Sequence, residues 1–355
     1  MRIAWTLFKY LLAVGLLAWV VTANWDPPAG NGLKHVYERH FVQGEPFGYG
    51  YFLLAILFTA LAVSVSFFRW YLLVRALDLP FTLFSAFRLG MVGFFFNTFL
   101  PGSVGGDIVK AAGIARQQSR RAAAVSTVIM DRVIALWGLL WLVVAACLLC
   151  RTFGWVSDAA QGVVGRIFQV SSILLAVSVV VWVGLGFLPT RRAEIFRGRL
   201  EWWPKVGKAL GELWWAVWVY RKRPATVLAA ISLAWFSQVC YCLVIYCTAS
   251  TIWDGKDHLP TLGEHFLIVP IGLTIEALPL FPGGAGIGEA GFGGLYHLFG
   301  SVAAIGVLAA LLRRMIHWGL GLVGYLVYLQ MKADVPEPDA PVAPATPEPQ
   351  LASNG

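Results

Sequence analysis

From residue 122 to residue 150 only Asp131 and Arg132 are charged, and residues 225–250 carry no charge at all. A helix needs about 20 apolar residues to cross the hydrocarbon of a bilayer, so either run is long enough to span. Inside lipid every backbone polar group must be satisfied within the protein, which leaves helices or a closed barrel. These runs are continuous rather than alternating, and that selects helices. Composition points the same way: 58% of residues are hydrophobic, 13% are charged and the mean hydropathy is +0.71, well outside the range of ordinary soluble domains. The sequence predicts an all-α polytopic membrane protein.

Two stretches, one in each half of the chain, break this pattern. Residues 97–107 read Asn-Thr-Phe-Leu-Pro-Gly-Ser-Val-Gly-Gly-Asp, and residues 278–289 read Leu-Pro-Leu-Phe-Pro-Gly-Gly-Ala-Gly-Ile-Gly-Glu. Each sets a Pro-Gly pair, Pro101-Gly102 or Pro282-Gly283, inside an apolar run and follows it with an acid. The flanking chain matches as well: Pro101 stands as far before Arg132 as Pro282 does before Arg313. Asp107 likewise precedes the adjacent pair Asp131-Arg132 by the same interval at which Glu289 precedes Arg313-Arg314. This reads as an internal duplication around two broken helices, the pattern that marks a midplane binding site in transporters.

About six full-spanning helices are expected, over residues 10–21, 47–68, 122–150, 163–188, 225–250 and 302–331, with two Pro-Gly-broken re-entrant hairpins between them. The first helix is read as retained, although Val21-Thr22-Ala23 has the small residues of a cleavage site. Residues 1–332 form one transmembrane domain, with repeat A at about 47–150 and repeat B at about 225–331. A basic segment, 190–223, carries apolar residues at helical spacing, among them Leu210, Leu213, Trp214, Val217 and Trp218. It is expected to lie in the interface, where its basic flanks would also serve as a topology signal. The Pro- and Ala-rich tail, 333–355, is expected to be disordered and cytoplasmic. The five cysteines all fall in apolar segments and read as small core residues rather than a disulfide framework.

Basic residues set the orientation. The net charge of +8 lies mostly beside membrane segments, which argues for topology rather than nucleic acid. With the amino terminus inside, nineteen of the 27 Lys and Arg fall on the cytoplasmic side, five outside and three within the membrane. The first broken segment then begins and ends inside, and the second begins and ends outside. An inverted repeat follows, suited to alternating access.

The chemistry should sit at the breaks. A charged side chain at the bilayer centre costs about 2.5–3.5 kcal/mol on insertion scales, so Arg132, Arg313 and Arg314 should face a cavity or pair with Asp107, Asp131, Glu276 or Glu289. Proline donates no hydrogen bond and glycine admits close approach, so each break exposes N–H groups of the next half-helix near Gly105-Gly106 and Gly286-Gly288. Positive helix ends and arginines together make an anion site, and phosphate suits it. Asn97 is a further candidate for the cavity wall. His265, His297 and His317 are expected to be packed helix residues. No cofactor, metal or catalytic motif is expected.

These motifs resemble one family. Leu-Pro-Gly-Ser-Val-Gly-Gly-Asp at 100–107, the Asp131-Arg132 pair and Phe-Pro-Gly-Gly-Ala-Gly-Ile-Gly-Glu at 281–289 are similar to the membrane region of lysylphosphatidylglycerol synthases, over roughly residues 5–331. The resemblance implies a flippase-like protein of the bacterial cytoplasmic membrane that moves a phospholipid or polyprenyl-type anionic lipid. Only a short tail follows Met331, so lysyl-lipid synthesis is not expected. Two alternatives stand beside transport: a lipid-linked transferase using Asp107 or Glu289 as base, and a non-transporting accessory protein working with lipid-biosynthesis enzymes, its buried charges purely structural.

Overall fold

The structure, a computed structural model, describes residues 2–26, 32–45, 47–99, 105–154, 158–187, 189–203, 207–276 and 284–333. In chain order the helices are α1 (Arg2–Ala23), α2 (Leu33–Tyr37), α3 (Tyr49–Ala76), α4 (Leu83–Phe99), α5 (Gly105–Gln117), α6 (Arg121–Thr152), α7 (Asp158–Phe187), α8 (Thr190–Glu201), α9 (Gly207–Arg221), α10 (Pro224–Ile252), α11 (Leu262–Glu276), α12 (Ile287–Leu298) and α13 (Ala303–Ala333). A short π turn, Glu38–Val42, follows α2. Among the described residues five helices hold apolar stretches long enough to cross a membrane: Tyr49–Ala76, Arg121–Thr152, Val164–Gly184, Pro224–Ile252 and Ala303–Met331. The chain is an integral membrane protein of all-α class. The tail beyond residue 333 and the residues Pro101, Gly102, Pro282 and Gly283 lie outside the described residues.

α3 and α10 form the spine and run antiparallel. At one end Gly48 donates its N–H to the Thr251 carbonyl at 3.2 Å; mid-helix the Ser237 hydroxyl donates to the Ala62 carbonyl at 3.1 Å. At the other end Arg223, just before α10, meets Asp78, just after α3, at 2.6 Å. Around this spine the packing is paired. α4 lies on α5 as α11 lies on α12; α5 meets α6 as α12 meets α13; and α4 against α13 is matched by α11 against α6. The set α3–α6 and the set α10–α13 thus use the same neighbours twice.

Two apolar cores occupy opposite ends. One gathers Trp70 and Leu73 of α3, Ala86 and Leu89 of α4, Ile114 of α5, the first half of α6, and Ala230 and Ala234 of α10. The other gathers Cys147 of α6, Ile245 and Ile252 of α10, Leu267 to Val269 of α11, Phe292 and Tyr296 of α12, and Ala309 of α13. Each pair, α4–α5 or α11–α12, is rooted in its own core, and Asn97 of the first and Glu276 of the second face the region between.

The segment after the α7 span packs against the bundle. The apolar stripe of α9 is covered by protein: Trp218 is 2% exposed, and Tyr220 is buried with its hydroxyl donating to the Leu73 carbonyl at 2.8 Å. The Trp214 indole donates to the Ala193 carbonyl of α8 at 3.0 Å. The amphipathic spacing is real, but its apolar side is taken up by α6, α10 and α8. All five cysteines are buried and free.

Candidate functional site

A cavity of about 300 Å³ opens between the two cores and is lined by both halves of the protein. α3 contributes Arg69, α4 Asn97, α5 Lys110, and α6 Asp131 and Arg132. From the second half come Gln238 and Tyr241 of α10, Glu276 of α11, and Arg313, Arg314 and His317 of α13.

The first hairpin is closed by small residues and one amide. A Cβ on Gly106 would overlap the carbonyl oxygen of Gly93, so the arms of the hairpin touch backbone to backbone. Asn97 Oδ1 accepts the Gly106 N–H at 2.7 Å, satisfying one of the donors that the start of α5 leaves without an intrahelical partner. Asn97 therefore lines the cavity and stitches the break. In the second hairpin Gly286, at φ +83, and Gly284, at φ +66, adopt a turn that a side chain would strain. Glu289 accepts the Gly286 N–H at 2.7 Å and so caps α12.

Among the described residues five ion pairs surround the cavity. Arg132 donates to both oxygens of Asp107, at 2.6 and 2.9 Å. Arg314 donates to Glu289, lies 3.6 Å from Glu276 and reaches the Gly284 carbonyl at 3.2 Å. Arg313 donates to Glu276, and Arg69 donates to Asp131 at 2.8 Å. The pairing aligns the repeats by their acids: Asp107–Arg132 and Glu289–Arg314 are each 25 residues apart.

Among these groups five cations, Arg69, Lys110, Arg132, Arg313 and Arg314, face four carboxylates, Asp107, Asp131, Glu276 and Glu289. The unmatched charge is Lys110. It is 7% exposed, its Nζ lies 4.5 Å from the centre of the Trp70 ring, and among the described residues it has no carboxylate partner. Two further polar atoms at the cavity, Gln238 Oε1 and Arg313 Nε, are buried without a hydrogen-bond partner among the described residues. A buried lysine without a carboxylate and unused polar atoms inside an apolar bundle are groups that an entering anion can satisfy.

Arg69 and Lys110 are site residues that the sequence pattern did not single out. α3 continues to Ala76 rather than ending near residue 68, which places Arg69 within the bundle at 5% exposure. α5 folds back against Gly93, and a Cβ there would overlap the Lys110 side chain; the glycine makes the room in which the lysine lies. The continued apolar run 70–74 was the available signal for Arg69.

Of the other expected site residues, Asp107, Asp131, Arg132, Glu276, Glu289, Arg313 and Arg314 converge here, with Gly106 and Gly286 at the hairpin tips and Gly105 at the first residue of α5. His317 lines the cavity while its Nδ1–H donates to the Arg313 carbonyl at 2.9 Å. His265 is a packed helix residue: its Nδ1–H donates to the Thr261 carbonyl at 2.8 Å, which leaves Nε2 to accept the Tyr296 hydroxyl at 2.7 Å. No group of three or more metal-ligating side chains is assembled among the described residues.

A family model described as the lysylphosphatidylglycerol synthase TM region matches residues 7–324, nearly the whole chain and both hairpins with it. The chain belongs to this family. No curated protein matched the sequence closely enough to count as a relative. Membership ties the protein to membrane-lipid biology and agrees with an integral membrane protein built from one transmembrane region.

Proposed function

We propose that this member of the lysylphosphatidylglycerol synthase TM-region family translocates an anionic lipid, a phospholipid or a polyprenyl-type lipid, across the bacterial cytoplasmic membrane. It does so as a transporter rather than an enzyme. Both termini lie on the cytoplasmic side. The observation that carries this reading is the cavity between the hairpin tips, with five cations against four carboxylates. The headgroup phosphate enters there while the acyl chains stay in the bilayer.

The antiparallel α3 and α10 support an inverted repeat, because the helices that open the two halves then enter from opposite sides. In such an arrangement, rocking one hairpin against the other opens the cavity to each leaflet in turn. Phosphate competes with the carboxylates for the arginines, which match its oxygens by paired hydrogen bonds.

A second reading is favoured by the same ion pairs: four arginines already hold carboxylates, as they would in a non-transporting accessory protein whose charges only lock the bundle. Reconstitution separates the two. Liposomes with fluorescent phosphatidylglycerol or polyprenyl phosphate in both leaflets are treated with an impermeant quencher, with wild type, Arg132→Gln and Arg313→Gln compared. Transport predicts accelerated access to the inner-leaflet dye by wild type and its loss in folded variants. No acceleration by wild type with any of these lipids sinks the transport reading.

A further inference from the structure

A second cavity, which shares no lining residue with the first, lies where the α7 span meets α8 and α9. It measures about 560 Å³, and its walls are Val181 and Gly184 of α7, Arg192, Ile195, Phe196 and Arg199 of α8, and Trp214 of α9. The spacing 192, 195, 196, 199 places these α8 side chains within an arc of roughly 100° on one face of that helix. Both glutamates of α8, Glu194 and Glu201, fall on the opposite side, where Glu201 accepts from Arg197 at 2.7 Å. Arg192 and Arg199 therefore stand at the two ends of one apolar face, and neither has a carboxylate partner among the described residues.

The position of this face is as informative as its chemistry. Gly184 is the last residue of the apolar α7 span, so the two arginines stand where hydrocarbon gives way to headgroups. Phe196 and Trp214, with ring centres 4.6 Å apart, form the inner wall. A Cβ at Gly184 would meet nothing within 4 Å, so the floor is open. From it the exposed side chains Val181, Val177, Leu174 and Val170 continue along α7 as one stripe. That track is about 16 Å long at helical rise, about half the thickness of the hydrocarbon core.

We infer that the α7–α8–α9 corner is a binding site for one anionic phospholipid, its phosphate held between Arg192 and Arg199 and one acyl chain laid in the groove over Gly184 and up α7. Charge complementarity selects the headgroup, because guanidinium groups match phosphate oxygens in pairs. The apolar floor at the end of a span selects a lipid over a soluble phosphate. This site is separate from the central cavity and holds whether or not that cavity transports.

The test is native mass spectrometry of the full-length protein in detergent, with phosphatidylglycerol or phosphatidylcholine of identical acyl chains. Wild type is expected to retain one more phosphatidylglycerol than the Arg192→Gln/Arg199→Gln double variant, whose affinity for that lipid falls roughly thirtyfold, about fivefold for each surface charge. Gly184→Leu, which fills the floor and leaves both arginines, is expected to lose the same lipid; Arg191→Gln is expected to keep it. Retention in Gly184→Leu alongside loss in the double variant would mean diffuse attraction to basic charge and overturn the site. So would equal retention of phosphatidylcholine, or an unchanged count in the double variant.

Discussion

Arg132 grips Asp107 through two hydrogen bonds, and Arg314 grips Glu289 across the same length of chain. The two pairs differ in their surroundings. The Arg132 side chain is 52% exposed, whereas Arg314 is 7% exposed and Glu289 is fully buried. Removing one partner of a fully buried pair costs up to about 3–5 kcal/mol, less where the remaining charge keeps another partner as Arg314 keeps Glu276, and a pair with one solvated member costs less still.

Glu289→Gln is therefore expected to destabilise the protein more than Asp107→Asn. The glutamine amide would still offer an oxygen to the Gly286 N–H, so the loss reports mainly the buried charge of Arg314. Thermal unfolding of both variants in detergent checks this. Equal shifts would mean that the two halves are equally buried in solution.

Much of this site could be read from the chain because its parts are tied by fixed spacing. The Pro-Gly breaks, the acids and the charged residues that follow at equal intervals survive as a pattern, and helix geometry carries that pattern into space. Lys110 and Arg69 were not legible in the same way. Lys110, midway along α5 and followed by Arg116, Arg120 and Arg121, looks like part of a basic helix end until Gly93 is seen to open room for it. An arginine after a long apolar run looks like a topology signal until Asp131 is seen opposite. Both depend on packing between segments distant in sequence, and so do Gln238 and Tyr241, single polar groups in an otherwise apolar stretch of α10. The apolar stripe of α9 shows the converse: its periodicity is clear, but only the packing says that protein covers it.

The contact between Gly93 and Gly106 predicts a steep cost for a single methyl group. Gly106→Ala places a Cβ against the Gly93 carbonyl, with the Asn97 side chain 2.7 Å away. Neither is the free end of a long side chain, so the arms must part, and the Asn97–Gly106 hydrogen bond goes with them. Overpacking of this kind costs about 1–3 kcal/mol or more. Gly162→Ala, whose Cβ meets nothing within 4 Å, is the control and should be neutral or stabilising by up to about 1 kcal/mol. Unfolding midpoints of the two variants that moved together would contradict the close approach.

Asp254, in the loop after α10, provides a pH-dependent contact outside the spans. Burial alone would raise its pKa, but backbone N–H groups of Lys256 and Asp257 and the charge of Arg39 together hold it below the usual carboxylate value. The Lys256 N–H lies 2.9 Å from its Oδ1 and Arg39 lies 3.9 Å from its Oδ2. Because the folded value is the lower one, the carboxylate stabilises the loop fully above its unfolded pKa of about 3.9 and loses that contribution as pH falls through the folded value. Hydrogen-exchange protection at residues 253–258, taken relative to the intrinsic rate at each pH, should fall below about pH 4 in wild type. In Asp254→Asn that protection should be lower at neutral pH and no longer respond to acid there.

Lys110 makes the most specific prediction for transport. The arginines of the cavity are each held by a carboxylate, so an entering phosphate must first compete for them, but Lys110 is held only by the Trp70 ring and by the space above Gly93. It is the cation that can meet an anion without breaking an ion pair. A charge-assisted hydrogen bond contributes about 1.5–3 kcal/mol, so Lys110→Met should slow exchange of anionic lipid by about tenfold or more. Its stability should change little, because the methionine side chain fills the same channel and no carboxylate is left unpaired. Lys110→Arg keeps the charge but must fit a planar group beside Gly93, and should recover part of the rate. Quencher assays on reconstituted protein check both variants, with size-exclusion profiles showing that they are folded. Wild-type exchange rates in folded Lys110→Met would remove Lys110 from the path of the headgroup and leave the arginines as its cationic contacts.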